Sequence, residues 1–423
     1  MKQCLQYFRT PSLIVGILMI AACHAGSTTS KAQDQTPSQA QNSAQVQQEQ
    51  RFKIQKIAQF NEPWAIQPLS DGRILLTERK GQLIIFNPQN QQKIQVKNLP
   101  KVAYGGQGGL GDIALDPQFE KNHQIYLSYA ETGQGGYGAI IEKATLNLNE
   151  AVPSLKQRKI IWRQIPKVEG QGHYSHRMQF GVDGKLWVSS GERQKFDPAQ
   201  DLQSNLGKVL RLNSDGTPAA DNPFQTQGEV AKQVWSFGHR NPLGMAFDAK
   251  QQLWVAEMGP KGGDELNLVQ RAKNYGYPHV SNGDHYDDQP IPDHHTRPEF
   301  EAPLISWTPV ISPSSLMFYQ GDRFPQWKNK ALIGGLSSQA IVIVDTELKP
   351  VQETQRIAMP QRIRGLIEAK DGSIWGIEDG EKAWLFKIEP KYRLKNKQKI
   401  QKIKKSPYGA SHIQAYTNFK YVS

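Results

Sequence analysis

The sequence predicts an all-β protein, a six-bladed β-propeller of four-stranded blades, and three observations carry that expectation. From Arg51 to Pro390 the chain runs in short segments rich in Leu, Ile, Val and Trp, cut by Gly, Asp, Asn and Pro. Stretches with a 3.6-residue apolar period are few, so strands rather than helices should build the core. One local unit also returns: a turn with Asp or Gly, an apolar strand, then a polar end. It is read at Asp71-Gly72-Arg73-Ile74-Leu75-Leu76, Asp183-Gly184-Lys185-Leu186-Trp187-Val188, Lys250-Gln251-Gln252-Leu253-Trp254-Val255 and Asp371-Gly372-Ser373-Ile374-Trp375-Gly376. Looser copies start at His123 and Lys328. Six copies in residues 51–390 leave about 57 residues for each, the size of a four-stranded blade with a generous loop. A pair of β-sandwiches would use the same strands but leave the repeat unexplained.

Ahead of the repeat, residues 1–22 have the layout of a secretory signal: Lys2 and Arg9, the apolar run Leu13–Ala22, then small residues up to Cys23. The apolar run is about half of the roughly 20 residues that span a bilayer, which argues against a retained transmembrane helix. Ile20-Ala21-Ala22-Cys23 resembles a bacterial lipobox, in which the thiol of the new N-terminal Cys receives a diacylglycerol. Cys23 is therefore the expected lipidation site, and a periplasmic lipoprotein anchored in the outer membrane the expected location. The other cysteine, Cys4, lies inside the signal, so the mature chain has no intramolecular disulfide and must rely on a large core. Residues 23–50 carry eight Gln after Lys31 and almost nothing to bury, which reads as a disordered tether.

The formal charge of +12 raises the question of nucleic acid. Much of the excess sits in Lys391–Lys405, with eight Lys or Arg and no acid, inside the basic extension 391–423. Export removes DNA as a natural partner. The basic tail is either a solvated extension or a contact with anionic lipid, and sequence does not separate the two.

Loops between propeller strands gather at one mouth of the channel, so the chemistry belongs there. Gly106-Gln107-Gly108-Gly109-Leu110-Gly111 fits the dinucleotide pattern G-x-G-x-x-G, but Asp112-Ile113-Ala114-Leu115 after it reads as a strand, with no helix N-terminus for a pyrophosphate. The glycines are read instead as a tight loop that lets a flat group approach, with Gln107 as a polar contact. His173-Tyr174-Ser175-His176-Arg177 precedes a strand. It is compatible with a metal site, a Ser/His pair, surface polarity or a general base. A third zinc ligand and a nucleophile elbow are missing, and a base needs neither. Gly238-His239-Arg240-Asn241-Pro242 sets an Arg beside a strand end, suited to a planar anion or to a salt bridge between blades. In Arg362-Ile363-Arg364, strand alternation puts both guanidinium groups on one face, where their repulsion calls for an anion. The turn from Glu257 through Gly259 and Pro260 to Glu265 offers carbonyls and carboxylates to calcium, or is an acidic loop without an ion. Asp284–His295 is rich in His and Asp but broken by Pro, and is read as a mobile mouth loop rather than a metal site. Trp307 is read as stacking on a sugar in preference to packing between blades.

Together GGQGGLG, HYSHR, GKVLRLNSDGTPAADNPF, GHRNPLG, EMGPKGGDELN with NYGYP, SWTPVISPSS and RIRGLIEAKDG resemble, in order from Phe60 to Ile388, the soluble glucose/sorbosone dehydrogenase family. That family consists of six-bladed propellers using pyrroloquinoline quinone (PQQ) and calcium. The short loops and the absence of a cysteine pair are most similar to its aldose sugar dehydrogenase branch. The resemblance implies oxidation of the anomeric hydroxyl of aldose sugars to the aldonolactone, with His173 as general base and hydride transfer to the quinone. It implies quinone contacts at Arg240, Asn241, Arg362 and Arg364, with Gln107 a polar neighbour of the base. Gly259 and Pro260 match carbonyls that hold the cofactor calcium, Glu265 and Tyr275 match a second, structural calcium site, and Trp307 matches the aromatic over the sugar. An electron acceptor, whether dye, quinone or cytochrome, is then required as a partner. Two positions depart from the glucose-oxidising members. Gly172 stands where they have an acid before the base, which leaves His173 without the usual carboxylate partner. Leu336-Ser337-Ser338 stands where they have a lysine on the quinone. The alternatives are a propeller lactonase, which would need acidic metal ligands where this chain has arginines, and a non-catalytic glycan-binding lipoprotein, favoured by the two departures.

Overall fold

The computed structural model describes residues 52–391, which form six four-stranded antiparallel sheets. The signal segment, Cys23, the tether and all but the first residue of the basic extension lie outside the described residues. In chain order the blades occupy Pro63–Gln95, Leu110–Arg163, Ser175–Phe237, Pro242–Trp307 and Pro313–Ala358, and the sixth is built from Ile363–Pro390 with the first strand, Phe52–Phe60. That first strand pairs antiparallel with Ala383–Pro390, Phe52 opposite Pro390 and Phe60 opposite Ala383. Strands from both ends of the propeller thus share one blade, which closes the ring through a ladder of backbone hydrogen bonds. A single α-helical turn, Phe119–Asn122, interrupts the β structure of the described residues.

Each copy of the sequence repeat falls on the second strand of one blade. The strands Ile74–Glu78, Leu186–Ser190, Leu253–Glu257, Ala331–Gly335 and Ile374–Glu378 are buried at every position. Both faces of such a strand meet neighbouring blades, which is why its sequence is an apolar run and not an alternation. Outer strands show the contrast: Gln352–Ala358 alternates exposed and half-covered residues. The Asp-Gly turns that open the repeat have a local cause. Asp71, Asp183 and Asp371 each accept the amide of the residue two ahead, and Gly72, Gly184 and Gly372 hold φ of +87°, +70° and +71°. Aspartate closes the turn through its side chain, and glycine takes the left-handed corner at no steric cost.

Strand pairing stops at the edge of each blade, so side chains must join the inner strands around the channel. Arg177, on the inner strand of the third blade, does this for all six. Its guanidinium lies 3.8 Å from the ring centroid of Trp64 in the first blade. Its nitrogens donate to Asp112 Oδ1 in the second (3.2 Å), the Leu243 carbonyl in the fourth (2.7 Å), the Ser314 carbonyl in the fifth (2.6 Å) and the Arg364 carbonyl in the sixth (3.5 Å). Burial pushes the Asp112 carboxyl up and Arg177 opposes it. Truncating one member of such a buried pair leaves an uncompensated charge at a cost of about 3–5 kcal/mol. Arg177→Met is expected to lower the urea-unfolding free energy by about that amount, with partial recovery in the Arg177→Met/Asp112→Asn double variant. A loss no larger than that of a surface substitution would remove Arg177 from this role.

Candidate active site

All six inner strands begin at the same mouth, and most of the residues singled out from sequence sit at or just before those beginnings. A cavity of about 490 Å³ opens there, lined by Glu62, Trp64, Arg79, Gln107, Tyr174, His176, Met258, Leu336, Arg362, Arg364 and Asp379 among others. Beside it lies a second cavity of about 260 Å³, lined by His173, Glu192, Gln194, Phe196, Arg240, Pro260, Tyr277, His285, Tyr286 and Asp287.

His173 is 5% exposed. Its amide donates to Gln107 Oε1 at 2.9 Å, so the glycine loop and the histidine segment are fastened together. Its Nδ1 lies 2.5 Å from Glu192 Oε1. An ionised carboxylate only accepts, so the proton sits on Nδ1 and Nε2 keeps its lone pair. Glu192 is fixed in turn, its Oε2 accepting the amides of Lys195 (2.6 Å) and Phe196 (2.9 Å). The expectation that His173 lacks a carboxylate partner is therefore corrected: the acid comes from the end of the adjacent strand rather than from the preceding residue. Space beyond Gly172 is filled by the Gln194 side chain, whose Oε1 would lie 2.2 Å from a Cβ there. Burial pulls the His173 imidazole below its ordinary value, Glu192 opposing and Arg240 reinforcing the shift. Glu192 is pushed up by burial but held below the carboxylate range by His173, the Phe196 amide and Arg240. Both directions describe a neutral imidazole on an ionised acid. His173, Ser175 and His176 on one side and Arg193, Gln194 and Phe196 on the other all hold φ between +46° and +63°. Left-handed backbone in such residues costs energy and concentrates at functional sites.

Arg240 is 5% exposed, and its guanidinium lies near the rings of Tyr277 (5.7 Å) and Tyr286 (5.8 Å). Nη1 donates to the Met258 (3.0 Å) and Gly259 (2.6 Å) carbonyls and Nη2 to the Tyr286 hydroxyl (3.3 Å), whereas the buried Nε has no partner. Asn241 is fully buried and accepts the Ser175 hydroxyl at 2.9 Å. Arg362 and Arg364 do share a face, but the anion between them is the protein's own: Asp379 accepts Arg362 Nε at 2.8 Å and lies 2.7 Å from Arg364 Nη2. The expectation that their repulsion requires an external anion is corrected accordingly. Three cations, Arg79, Arg362 and Arg364, still face two acids, Glu62 and Asp379, in the larger cavity. Arg79 also ties down the glycine loop, donating to the Gly106 and Gly108 carbonyls. A Cβ at Gly109 would sit 2.2 Å from the Arg79 carbonyl, and the loop runs into the strand Leu110–Leu115, as the sequence requires.

Gly259 donates its amide to Asp264 Oδ1 at 2.9 Å and gives its carbonyl to Arg240, and Pro260 lines the smaller cavity. Glu265 is buried; Oε2 accepts from Asn267 at 3.0 Å, and His294 Nδ1 is 3.9 Å from Oε1. Burial and the neighbouring Glu257 raise the Glu265 carboxyl well above its ordinary value. Asn267 Oδ1 is buried without a partner, and Tyr275 stacks on His239 with ring centroids 4.5 Å apart. Among the described residues no three His, Cys, Asp or Glu side chains converge on one point. Trp307 is elsewhere. It is buried against Ile311, Leu316 and Val342, with its indole N–H on Glu353 Oε2 at 2.9 Å, so it packs between blades and the sugar-stacking expectation is corrected. Aromatic groups beside His173 are instead Phe196, Tyr277, His285 and Tyr286. The last two come from the Asp284–His295 segment, which is anchored rather than free: Lys261 and Gly262 pair with Asp284 and Gly283, and Lys261 bridges to Asp288.

The sequence model of the glucose/sorbosone dehydrogenase family matches residues 60–387. The chain belongs to this family. It is 33% identical over 341 residues to aldose sugar dehydrogenase YliI of Escherichia coli, covering 78% of this chain and 91% of that one. The crystal structure of the soluble aldose sugar dehydrogenase from Escherichia coli in its apo form superposes with a TM-score of 0.75 at 32% identity, over 80% of this chain and all of that one. The PQQ-bound form of aldose sugar dehydrogenase from Streptomyces coelicolor gives a TM-score of 0.66 at 25% identity, over 80% of this chain and 98% of that one. Like its relatives in the glucose/sorbosone dehydrogenase family, the chain is thus placed among sugar-oxidising oxidoreductases.

Sequence reading missed Glu192, Arg79, Asp379 and the aromatic wall. A signal for Glu192 existed in the repeat itself. Its polar end is glutamate in Ile74–Glu78, Leu253–Glu257 and Ile374–Glu378, and Glu192 follows Leu186–Ser190 by two residues. The first and last cap backbone amides, of Asn61 (2.7 Å) and Trp384 (3.0 Å). Glu257 and Glu192 cap amides and also grip a histidine, His239 at 2.9 Å and His173. Removing the Glu192 charge removes the main influence that raises His173. Glu192→Gln is expected to move the His173 titration midpoint, followed by imidazole ¹⁵N NMR, further below the ordinary histidine value of about 6.5. An unchanged or raised midpoint would contradict the pairing.

Proposed function

We propose that the protein oxidises the anomeric hydroxyl of aldose sugars to the lactone with PQQ and calcium, His173 acting as general base. The observation that carries this reading is a neutral His173, held by Glu192, lining a cavity next to a buried Arg240 whose Nε lacks a partner. The residues fit the cofactor's chemistry. A flat tricarboxylate suits a mouth with excess arginine, an aromatic surface at Trp64 and an orphaned guanidinium donor. Arg240, Arg362 and Arg364 would hold it, with Leu336 giving an apolar contact where a lysine is absent, while the fully buried Asn241 would act only from behind, through Ser175. Calcium fits as well. The Gly259 oxygen has a second lone pair, and the partnerless Asn267 Oδ1 beside Glu265 offers a hard cation oxygen ligands. When bound, the quinone and its calcium supply a two-electron acceptor for the electrons leaving C1.

His173 Nε2 accepts the proton of the C1 hydroxyl. Glu192 keeps the ring in the tautomer that can do so and stabilises the imidazolium that forms, and a base so placed contributes on the order of 10²–10⁴ in rate. Phe196, Tyr277 and Tyr286 give the sugar's C–H faces apolar contacts and exclude water from the base. An external acceptor must then reoxidise the cofactor. The lactonase alternative loses support, because arginines and not convergent carboxylates face the mouth.

Purified protein given PQQ and calcium should reduce a redox dye with one or more members of an aldose panel, and EDTA should abolish the reaction. His173→Ala should keep the spectrum of the reconstituted cofactor while turnover falls by about 10²–10⁴. Dye reduction by no aldose would sink the proposal, and undiminished turnover in the variant would remove His173 from it. The lipid anchor proposed at Cys23 has its own check: Cys23→Ser should move the protein from the membrane to the soluble fraction, and persistent membrane association would refute lipidation as the sole tether.

A further inference from the structure

Lys208 opens the strand Lys208–Leu212, where it pairs with Ser190 of the strand that leads into the Glu192 turn. It is fully buried, yet it pairs with no carboxylate among the described residues. A lone buried ammonium is costly unless its protons are taken up. Here all three are, by the carbonyl oxygens of Pro198 (2.7 Å), Ala199 (3.1 Å) and Leu206 (2.6 Å). Three carbonyls converging on one cation is the arrangement of a small metal site, here with the ammonium as its occupant. Burial draws the amine down to about 7, Asp201 acting in the other direction. The three oxygens also favour the charged form.

Two of those carbonyls belong to the 3₁₀ turn Asp197–Ala199. The residues just before it, Lys195 and Phe196, donate the amides that fix Glu192 Oε2, and Glu192 Oε1 holds Nδ1 of His173. Arg193, Gln194 and Phe196 in this segment all have left-handed backbone, φ +61° to +63°. A turn bent in this way does not hold its shape unaided. Glu192, Gln194 and Phe196 all face the cavity that holds His173.

We propose that Lys208 is a positioning residue for the His173–Glu192 pair: its ammonium clamps the turn whose amides aim the Glu192 carboxylate. The role as part of a catalytic site rests on the reading of His173 as the base, but the linkage itself does not. Without the clamp the turn relaxes, Glu192 holds His173 less well, and the imidazole loses the interaction that raises it.

The test uses the full chain, ¹⁵N-labelled at histidine, without cofactor. Lys208→Met keeps the length of the side chain and removes the charge. The His173 midpoint should fall in the same direction as in Glu192→Gln, by at least half as much, with a cooperative thermal transition retained. In the double variant Lys208→Met should add nothing to the Glu192→Gln shift, since residues acting through one another are non-additive. An unmoved midpoint in folded Lys208→Met, or full additivity, overturns the proposal. Should Lys208→Met not fold, the wild type labelled at lysine decides: a slowly exchanging Lys208 ammonium is expected, and a freely exchanging one overturns the clamp. Because the readout is His173 protonation, failure of every aldose to be oxidised would sink the proposed function without touching this result.

Discussion

Strand pairing in a propeller stops at the edge of each blade, so something else must join the six blades at the axis. Here that is the Arg177 guanidinium, which reaches a side chain or carbonyl in each of the other five blades from its own place in the third. The same group builds the floor of the mouth. Trp64, beneath the guanidinium, stacks on His176 with ring centroids 5.0 Å apart, and both rings line the larger cavity. His176 is drawn down to about 3 by burial and by Arg177. It is thus a neutral spacer at any ordinary pH, with Nδ1 on the Ser128 hydroxyl at 2.7 Å. Of the two histidines in the HYSHR segment, one packs at the axis and the other lines the smaller cavity.

The site above that floor is a modification of the repeat. A glutamate at or just past the end of a blade's second strand caps backbone amides in four blades, which is a structural device. In two of them the same carboxylate also receives a histidine Nδ1. Placed in the third blade, the pair faces a cavity and leaves an imidazole nitrogen free to accept a proton. In the fourth blade His239 is fully buried, its Nε2 on the Ser236 hydroxyl at 2.9 Å, and has no such freedom. The chain thus builds from one motif both a histidine sealed in the packing and one that faces a cavity.

The fold was readable because its determinants are local. Asp-Gly corners and apolar runs specify hairpins within a dozen residues, and six repetitions of a unit that must bury both faces leave few architectures besides a ring. Gln107, His173 and Arg240 line the mouth for a related reason. Polar residues just ahead of an inner strand must lie at the mouth once the ring closes.

What the sequence could not supply was the pairing of side chains at the strand ends. Glu192 lies 19 residues from His173 and looks like any strand end until the backbone folds it under the imidazole. Arg362 and Arg364 announce a demand for negative charge, but only the pairing of Ile363–Glu368 with Ile374–Glu378 brings Asp379 between them. Trp307 reads equally as a platform or a core residue, and packing against Ile311 and Val342 decides it. By itself, then, the sequence determined the repeat, the ring and the residues that reach its mouth, since turn chemistry and hydrophobic burial act over short distances. Only the tertiary structure decided which carboxylate meets which cation, because charges pair by distance in space and the pairing of strands sets that distance.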